Sequence, residues 1–342
     1  TDTSSSANEA QCSKKRKCEP RDVKTFVNMP AGNSNLLRIA AHTTVTPTKS
    51  DPLELVLQPN DHSSTFVELW SEPFNKSADY FSKAKLKIKP PIGAPIKIRL
   101  GNKNSKLRKK PQNIMLETGE CVGRVYPSRV QSPLKGRDQV RLRLVISLAP
   151  TLLFFRMGEV KEAKETLHVG LAPAGRWSLE LQRLTYPLRL DAYVQADLFG
   201  GPLSQNARRA YFDHAEYRDY LESGHVRDSF TPDYPHQPLD NGPVSRVGTH
   251  NALASSPYTA MIGGYRCSDG IPVDYSATGY LGPPEHYSRS DVDVMFPCED
   301  GVAHPGILGA GTRDGSVVAL NGTSAATALA SRSMVDKLLR HA

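Results

Sequence analysis

The stretch Leu320-Asn321-Gly322-Thr323-Ser324-Ala325-Ala326-Thr327 decides how the rest of the chain is read. It stands where a loop becomes a helix: residues 324 to 340 contain neither Gly nor Pro, and Ala325, Ala326, Ala328 and Ala330 leave the first turns almost without bulk. A helix start so small can lie close against neighbouring backbone. A serine in the first turn keeps its own backbone N–H outside the helical ladder, because the first N–H groups of a helix have no partner within it. The helix dipole adds partial positive charge at the same place, and Gly322 lets another group approach with no side chain in the way. Donors so arranged suit a developing oxyanion. The same serine is equally an N-cap, favoured there for structural reasons alone.

A second stretch bears on that choice. Thr25-Phe26-Val27-Asn28-Met29 reads as a buried strand and ends in the turn Pro30-Ala31-Gly32-Asn33-Ser34. A side-chain amide at Asn33 would be a further donor to an anion. Asn is also a common turn residue, because it tolerates left-handed backbone. Taken singly, each stretch stays ambiguous.

Three further segments stand between them in order. Ser256 to Gly264 ends in a buried strand, Ala260-Met261-Ile262-Gly263-Gly264; Pro272-Val273-Asp274-Tyr275-Ser276-Ala277-Thr278-Gly279 is a turn; and Val292-Asp293-Val294-Met295-Phe296-Pro297 is a second strand about thirty residues before the serine. Apolar runs of this kind suit strands buried on both faces of a parallel sheet. In that order, the segments resemble the C-terminal part of a subtilisin-like serine protease, a subtilase of peptidase family S8. The first resembles its strand ending in Val-Gly, the second its Phe-Ser-Ser-x-Gly turn, the third its Leu-Asp-Val-Met-Ala-Pro strand.

The resemblance implies a serine-type endopeptidase in which Ser324 is the nucleophile and Asn33 supplies the side-chain donor of the oxyanion hole, with Gly32, Gly322 and Thr323 in support. It implies a polypeptide substrate and, since most subtilases are secreted, a secreted or cell-envelope protein. The family's Asp and His precede its asparagine turn by well over a hundred residues, whereas 32 residues precede Asn33 here and hold neither an Asp-Ser/Thr-Gly nor a His-Gly-Thr motif. Both partners are therefore expected from an upstream segment of the same parent protein, and the lack of an opening Met is read as truncation. Asp22, His42, Asp213, His214 and His225 sit at the wrong motifs or in the wrong order. Two departures lie inside the matched region: Ala328 stands where the family has Pro, and Ser331-Arg332 where it has Gly. The opposing reading is a protease-like binding or scaffold protein whose site has decayed.

Between these parts the texture changes. Leu53/Leu55/Leu57, Leu86/Ile88, Ile96/Ile98/Leu100, Leu142/Leu144/Ile146, Trp177/Leu179/Leu181 and Leu188/Leu190 alternate at period two, the pattern of half-buried strands. The fold expected is thus an incomplete α/β subtilase core with a parallel sheet and helices, interrupted by an inserted all-β antiparallel sandwich. The divisions expected are 1–43 (core, with the asparagine turn), 44–195 (sandwich) and 196–342 (core, with the serine). Such insertions resemble those of a bacterial group of large subtilases. The stretch after Val194, including Tyr211-Phe212-Asp213-His214, reads as connection.

Composition narrows the function classes. The net charge of +8 comes from lysine and arginine runs with few interleaved aromatics, which suits solvated strand faces and loops and gives no nucleic-acid motif. No run approaches the roughly 18 apolar residues of a membrane span. Five cysteines without a CxxC pair and ten histidines without an HExxH give no metal or cofactor site, and no calcium-ligand cluster stands out.

Overall fold

A computed structural model describes residues 25–48, 50–101, 107–108, 110–132, 138–152, 160–162, 165–167, 170–195, 208–218, 242–256, 258–279, 292–299, 306–340. The described chain is mostly β-sheet, with one α-helix among its described residues.

Two antiparallel sheets form the larger part. One runs Val244–Ser245, Ala40–Val45, Leu188–Val194, Thr65–Ser71, Gln139–Leu148, Cys121–Gln131, Gln112–Met115, with Phe74–Asn75 added beside Gln139–Leu148. The other runs Tyr211–Asp213, Leu53–Leu57, Gly175–Gln182, Lys85–Lys89, Ile96–Arg99. Their inward residues share one core: Leu53, Leu55, Leu86, Ile88, Trp177 and Leu179 from the smaller sheet pack with Leu69, Leu142, Leu144, Ile146 and Leu190 from the larger. The period-two alternation produces this directly, since successive side chains leave a strand on opposite faces. In Lys85–Lys89, Leu86 and Ile88 are buried while the lysines point outward, so this basic run is the solvated face of a strand. Trp177 is fully buried, and its indole N–H donates to the Pro173 carbonyl at 2.9 Å, which satisfies its one polar group.

The sandwich draws on strands outside residues 44–195. Ala40–Val45 straddles the division expected at residue 43, and Val244–Ser245 pairs with it. Tyr211–Asp213, read as connection, is an edge strand on Leu53–Leu57 with Phe212 buried in the core. Three residues carry too little periodicity to be recognised as a strand without the partner they pair with.

The smaller part is a three-stranded parallel sheet in the order Val27–Pro30, Thr259–Arg266, Val294–Glu299. The central strand is buried on both faces, as its apolar run requires. On one face Ile262 packs with Val273, Cys298, Ala326 and Ala330; on the other Met261 packs with Ala31 and Ala254. Both outer strands correct the expectation of burial: Val27 is 37% exposed and Val294 42%. They lie at the edges of the sheet among the described residues, and the helix covers only part of each: Cys298 is fully buried beside it and Asn28 is bonded to its Ser331, while other side chains stay open to solvent. The helix Thr323–Arg340 lies across this sheet, with Ala326 and Ala330 as its buried contacts. Its small residues allow the close approach read from the sequence.

Candidate functional site

Parallel strands deliver residues at their carboxyl ends, where α/β sheets place their sites. Val27–Pro30 pairs in register with the central strand as far as Ile262, whose carbonyl then accepts the Ala31 N–H at 2.8 Å. The chain turns there. Gly32 has φ of +110°, a conformation open to glycine at little cost. Asn33 itself is not left-handed, so the turn needs its side chain and not its backbone tolerance.

That side chain reaches the helix start. Asn33 Oδ1 accepts the Thr323 N–H and the Thr323 hydroxyl, each at 3.0 Å. Thr323 Oγ1 in turn accepts the Gly32 N–H at 3.0 Å. Asn33 thereby caps the helix from the opposite end of the chain. With Oδ1 so engaged, Nδ2 is the free end of the amide, and among the described residues it has no acceptor. Gly322, at φ of +108°, passes so near that a Cβ there would stand 2.9 Å from Asn33 Nδ2.

Ser324 follows in the first turn and is exposed. Gly322 O accepts the N–H groups of Ala325 and Ala326, whereas those of Ser324 and the Ser324 hydroxyl find no partner among the described residues. The structure therefore brings Asn33, Gly32, Gly322, Thr323 and Ser324 together. It leaves an exposed hydroxyl beside two uncommitted N–H donors at a helix N-terminus, where an anion is stabilised.

The turn 272–279 holds both halves of this arrangement. Ala277 N–H donates to Gly32 O at 2.9 Å, Asn35 donates from its backbone to Tyr275 O at 3.3 Å and from Nδ2 to Asp274 O at 2.9 Å, and Gly322 N–H donates to the Tyr275 hydroxyl at 3.0 Å. Asn251 supports the asparagine turn from the other side, its N–H donating to Ala31 O at 2.6 Å. Tyr275 lies within the Pro272–Gly279 turn, but no local pattern marks it or Asn251 as part of a site. Of the two departures, Ser331 is explained: its hydroxyl accepts Asn28 Nδ2 at 3.0 Å and ties the helix to the first strand.

Candidate acid–base partners lie elsewhere. His42 sits in the sandwich, with Nδ1 2.9 Å from Asp191 Oδ1 and Nε2 3.3 Å from Val247 O, so both ring nitrogens face protein acceptors. His214 Nδ1 accepts the Glu216 N–H, and Asp213 pairs with Arg38 and Arg176. Asp22 and His225 lie outside the described residues. No three His, Cys, Asp or Glu side chains among the described residues come together as metal ligands would. No helix among them is long and apolar enough to cross a membrane.

The fold resembles that of a known protease. The solved structure of the Clostridium perfringens CspB protease matches it over 89% of this chain and 47% of that one, at 13% identity and a TM-score of 0.50. The chain thus spans just under half the length of the protein it matches, and at this identity the likeness is one of fold. By sequence, no family model and no curated protein matches the chain. A protease-like fold of sheets with a few parallel strands and a helix is what this shared architecture amounts to.

Proposed function

We propose that the chain carries the nucleophile and oxyanion donors of a subtilisin-like serine endopeptidase, with the Asp and His supplied by an upstream segment of the same parent protein. Ser324 Oγ attacks the scissile carbonyl of a polypeptide while the upstream His takes its proton. The tetrahedral oxygen receives hydrogen bonds from the Ser324 N–H and Asn33 Nδ2. The C–N bond then breaks, the amine leaves with the proton held by His, and water hydrolyses the acyl-enzyme by the same steps in reverse. In this reading residues 1–43 and 196–342 belong to one catalytic domain around an insertion centred on 44–195, whose sheets also take in Ala40–Val45, Tyr211–Asp213 and Val244–Ser245.

The observation that carries this is the orientation of the Asn33 amide. The Asn33 oxygen is taken up by Thr323, so the NH2 is the end of the amide open to a ligand, and Asn33 and Ser324 are both exposed at the same helix start. Without a base the hydroxyl is a weak nucleophile, and a triad protease stripped to binding and oxyanion stabilisation keeps only about 10³–10⁴ over water. The chain alone is accordingly expected to be nearly inert. Fluorophosphonate labelling of the full-length parent tests the reading: it should label at Ser324, and labelling no faster than a Ser324→Ala variant would end it.

One observation favours a second reading, a catalytically inactive protease-like binding or scaffold protein working through its sandwich. Ala328 stands four residues after the serine, where subtilases have proline. Upstream sequence lacking both an Asp-Ser/Thr-Gly and a later His-Gly-Thr would favour it.

A further inference from the structure

We infer that Tyr275 is a positioning residue for the Ser324 turn, its hydroxyl setting where the Gly322–Ser324 backbone stands relative to Asn33; this rests on the reading of Ser324 as nucleophile. Three features carry it. First, Tyr275 contacts both halves of the site through different atoms, its carbonyl accepting the Asn35 N–H at 3.3 Å and its hydroxyl accepting the Gly322 N–H at 3.0 Å. Second, the group it holds is the hinge of the helix start. The Gly322 carbonyl opens the helix through Ala325 and Ala326, at 3.0 and 3.3 Å, so rotation of Gly322 would swing the Ser324 N–H and hydroxyl together.

Third, the phenol is itself fixed from behind. Its oxygen lies 3.6 Å from Cys298 Sγ, and Cys298 is fully buried on the strand Val294–Glu299 beside the central strand, where a Cβ on Gly264 would collide with that sulfur. The adjacent Ser276 hydroxyl accepts the Gly264 N–H at 3.2 Å and pins the turn to the same strand. Its lone pair faces the Gly322 N–H, and the Cys298 sulfur and the Glu299 side chain face the same hydroxyl. Burial and the Cys298 thiol hold it protonated well above the ordinary tyrosine range. A phenylalanine would fill the same space and remove the 3.0 Å acceptor of the Gly322 N–H, leaving that N–H only the Cys298 sulfur, which it also faces.

The test compares the 342-residue chain with its Tyr275→Phe variant. By amide hydrogen exchange, Gly322 should exchange about 10-fold faster in the variant, the factor corresponding to one hydrogen bond, while amides in the last turns of the helix stay unchanged. Unchanged exchange at Gly322 would overturn the inference, and so would equal acceleration along the whole helix, which marks general loosening. A second measurement follows fluorophosphonate uptake at Ser324 in the parent protein. The limiting rate should fall about 10-fold with the half-saturating reagent concentration held; a change in the concentration alone would assign Tyr275 to binding and overturn a positioning role. If the wild type takes up no label, the nucleophile reading fails, and the exchange measurement still decides what Tyr275 holds.

Discussion

Asn33 Oδ1 accepts both the backbone N–H and the hydroxyl of Thr323, each at 3.0 Å, across 290 residues of chain. One oxygen thus ties the strand-end turn to the helix start. Structure and proposed chemistry use opposite ends of the same amide, and substitutions can separate them.

Asn33→Asp keeps an oxygen for Thr323 and removes the NH2. Stability should be nearly held, while turnover of the parent falls about 10²–10³, the usual cost of one oxyanion donor. Asn33→Ala removes both ends, and denaturant unfolding should show an added loss of about 0.5–2 kcal/mol for the missing cap. Equal turnover in wild type and Asn33→Asp would remove the amide from the chemistry.

Thr323 is fully buried, and its hydroxyl relays from Gly32 N–H to Asn33. Thr323→Val preserves shape but strands the Gly32 N–H, and an unsatisfied buried donor costs about 1–3 kcal/mol. Thr323→Ser should recover most of that. Urea titration of the three proteins reads the difference.

Gly322→Ala adds a methyl 2.9 Å from Asn33 Nδ2 on a backbone at φ of +108°. The strain is of order 1–3 kcal/mol, and relief requires the amide to move. A lower melting temperature together with slower labelling at Ser324 is the expected pair. Slower labelling without any loss of stability would contradict the packing described.

Burial pushes the Cys298 thiol up from 9.0 to about 11, partly offset by the Tyr275 hydroxyl. A raised folded value means the folded chain holds this proton more tightly than the unfolded one. Its stabilisation is therefore complete below pH 9 and is lost as pH rises toward 11. Melting temperature followed over that window should fall more steeply for the wild type than for Cys298→Ala. Parallel curves would show that the thiol does not titrate as described.

His42 and the fully buried Asp191 form a different kind of pair, with Arg141 and Arg189 also near the carboxylate. Removing one partner of a buried ionic group costs about 3–5 kcal/mol, so Asp191→Ala should destabilise the sandwich by that order. His42→Ala should leave labelling of Ser324 in the parent unchanged. A large loss of labelling would place His42 in the chemistry after all.

Local pattern accounts for much of this molecule. Leu86 and Ile88 between lysines, or Leu142, Leu144 and Ile146 at every second position, can bury themselves together only by forming a strand with one face inward, and no partner need be known to say so. The helix was legible for the same reason: its lack of Gly and Pro and its alanine start are local properties, and the observed Thr323–Arg340 differs by one residue. The likeness of ordered segments brought Asn33 and Ser324 into one hypothesis. Only the tertiary structure decided how they meet. Which end of the Asn33 amide faces Thr323, the Tyr275 hydroxyl on Gly322, and the edge positions that leave Val27 and Val294 exposed all depend on groups far apart in sequence. Short edge strands such as Tyr211–Asp213 were hidden for that reason too. Periodicity records which face of an element is buried; it holds no record of which distant atom completes a hydrogen bond, because that choice is made when the sheets close on one another.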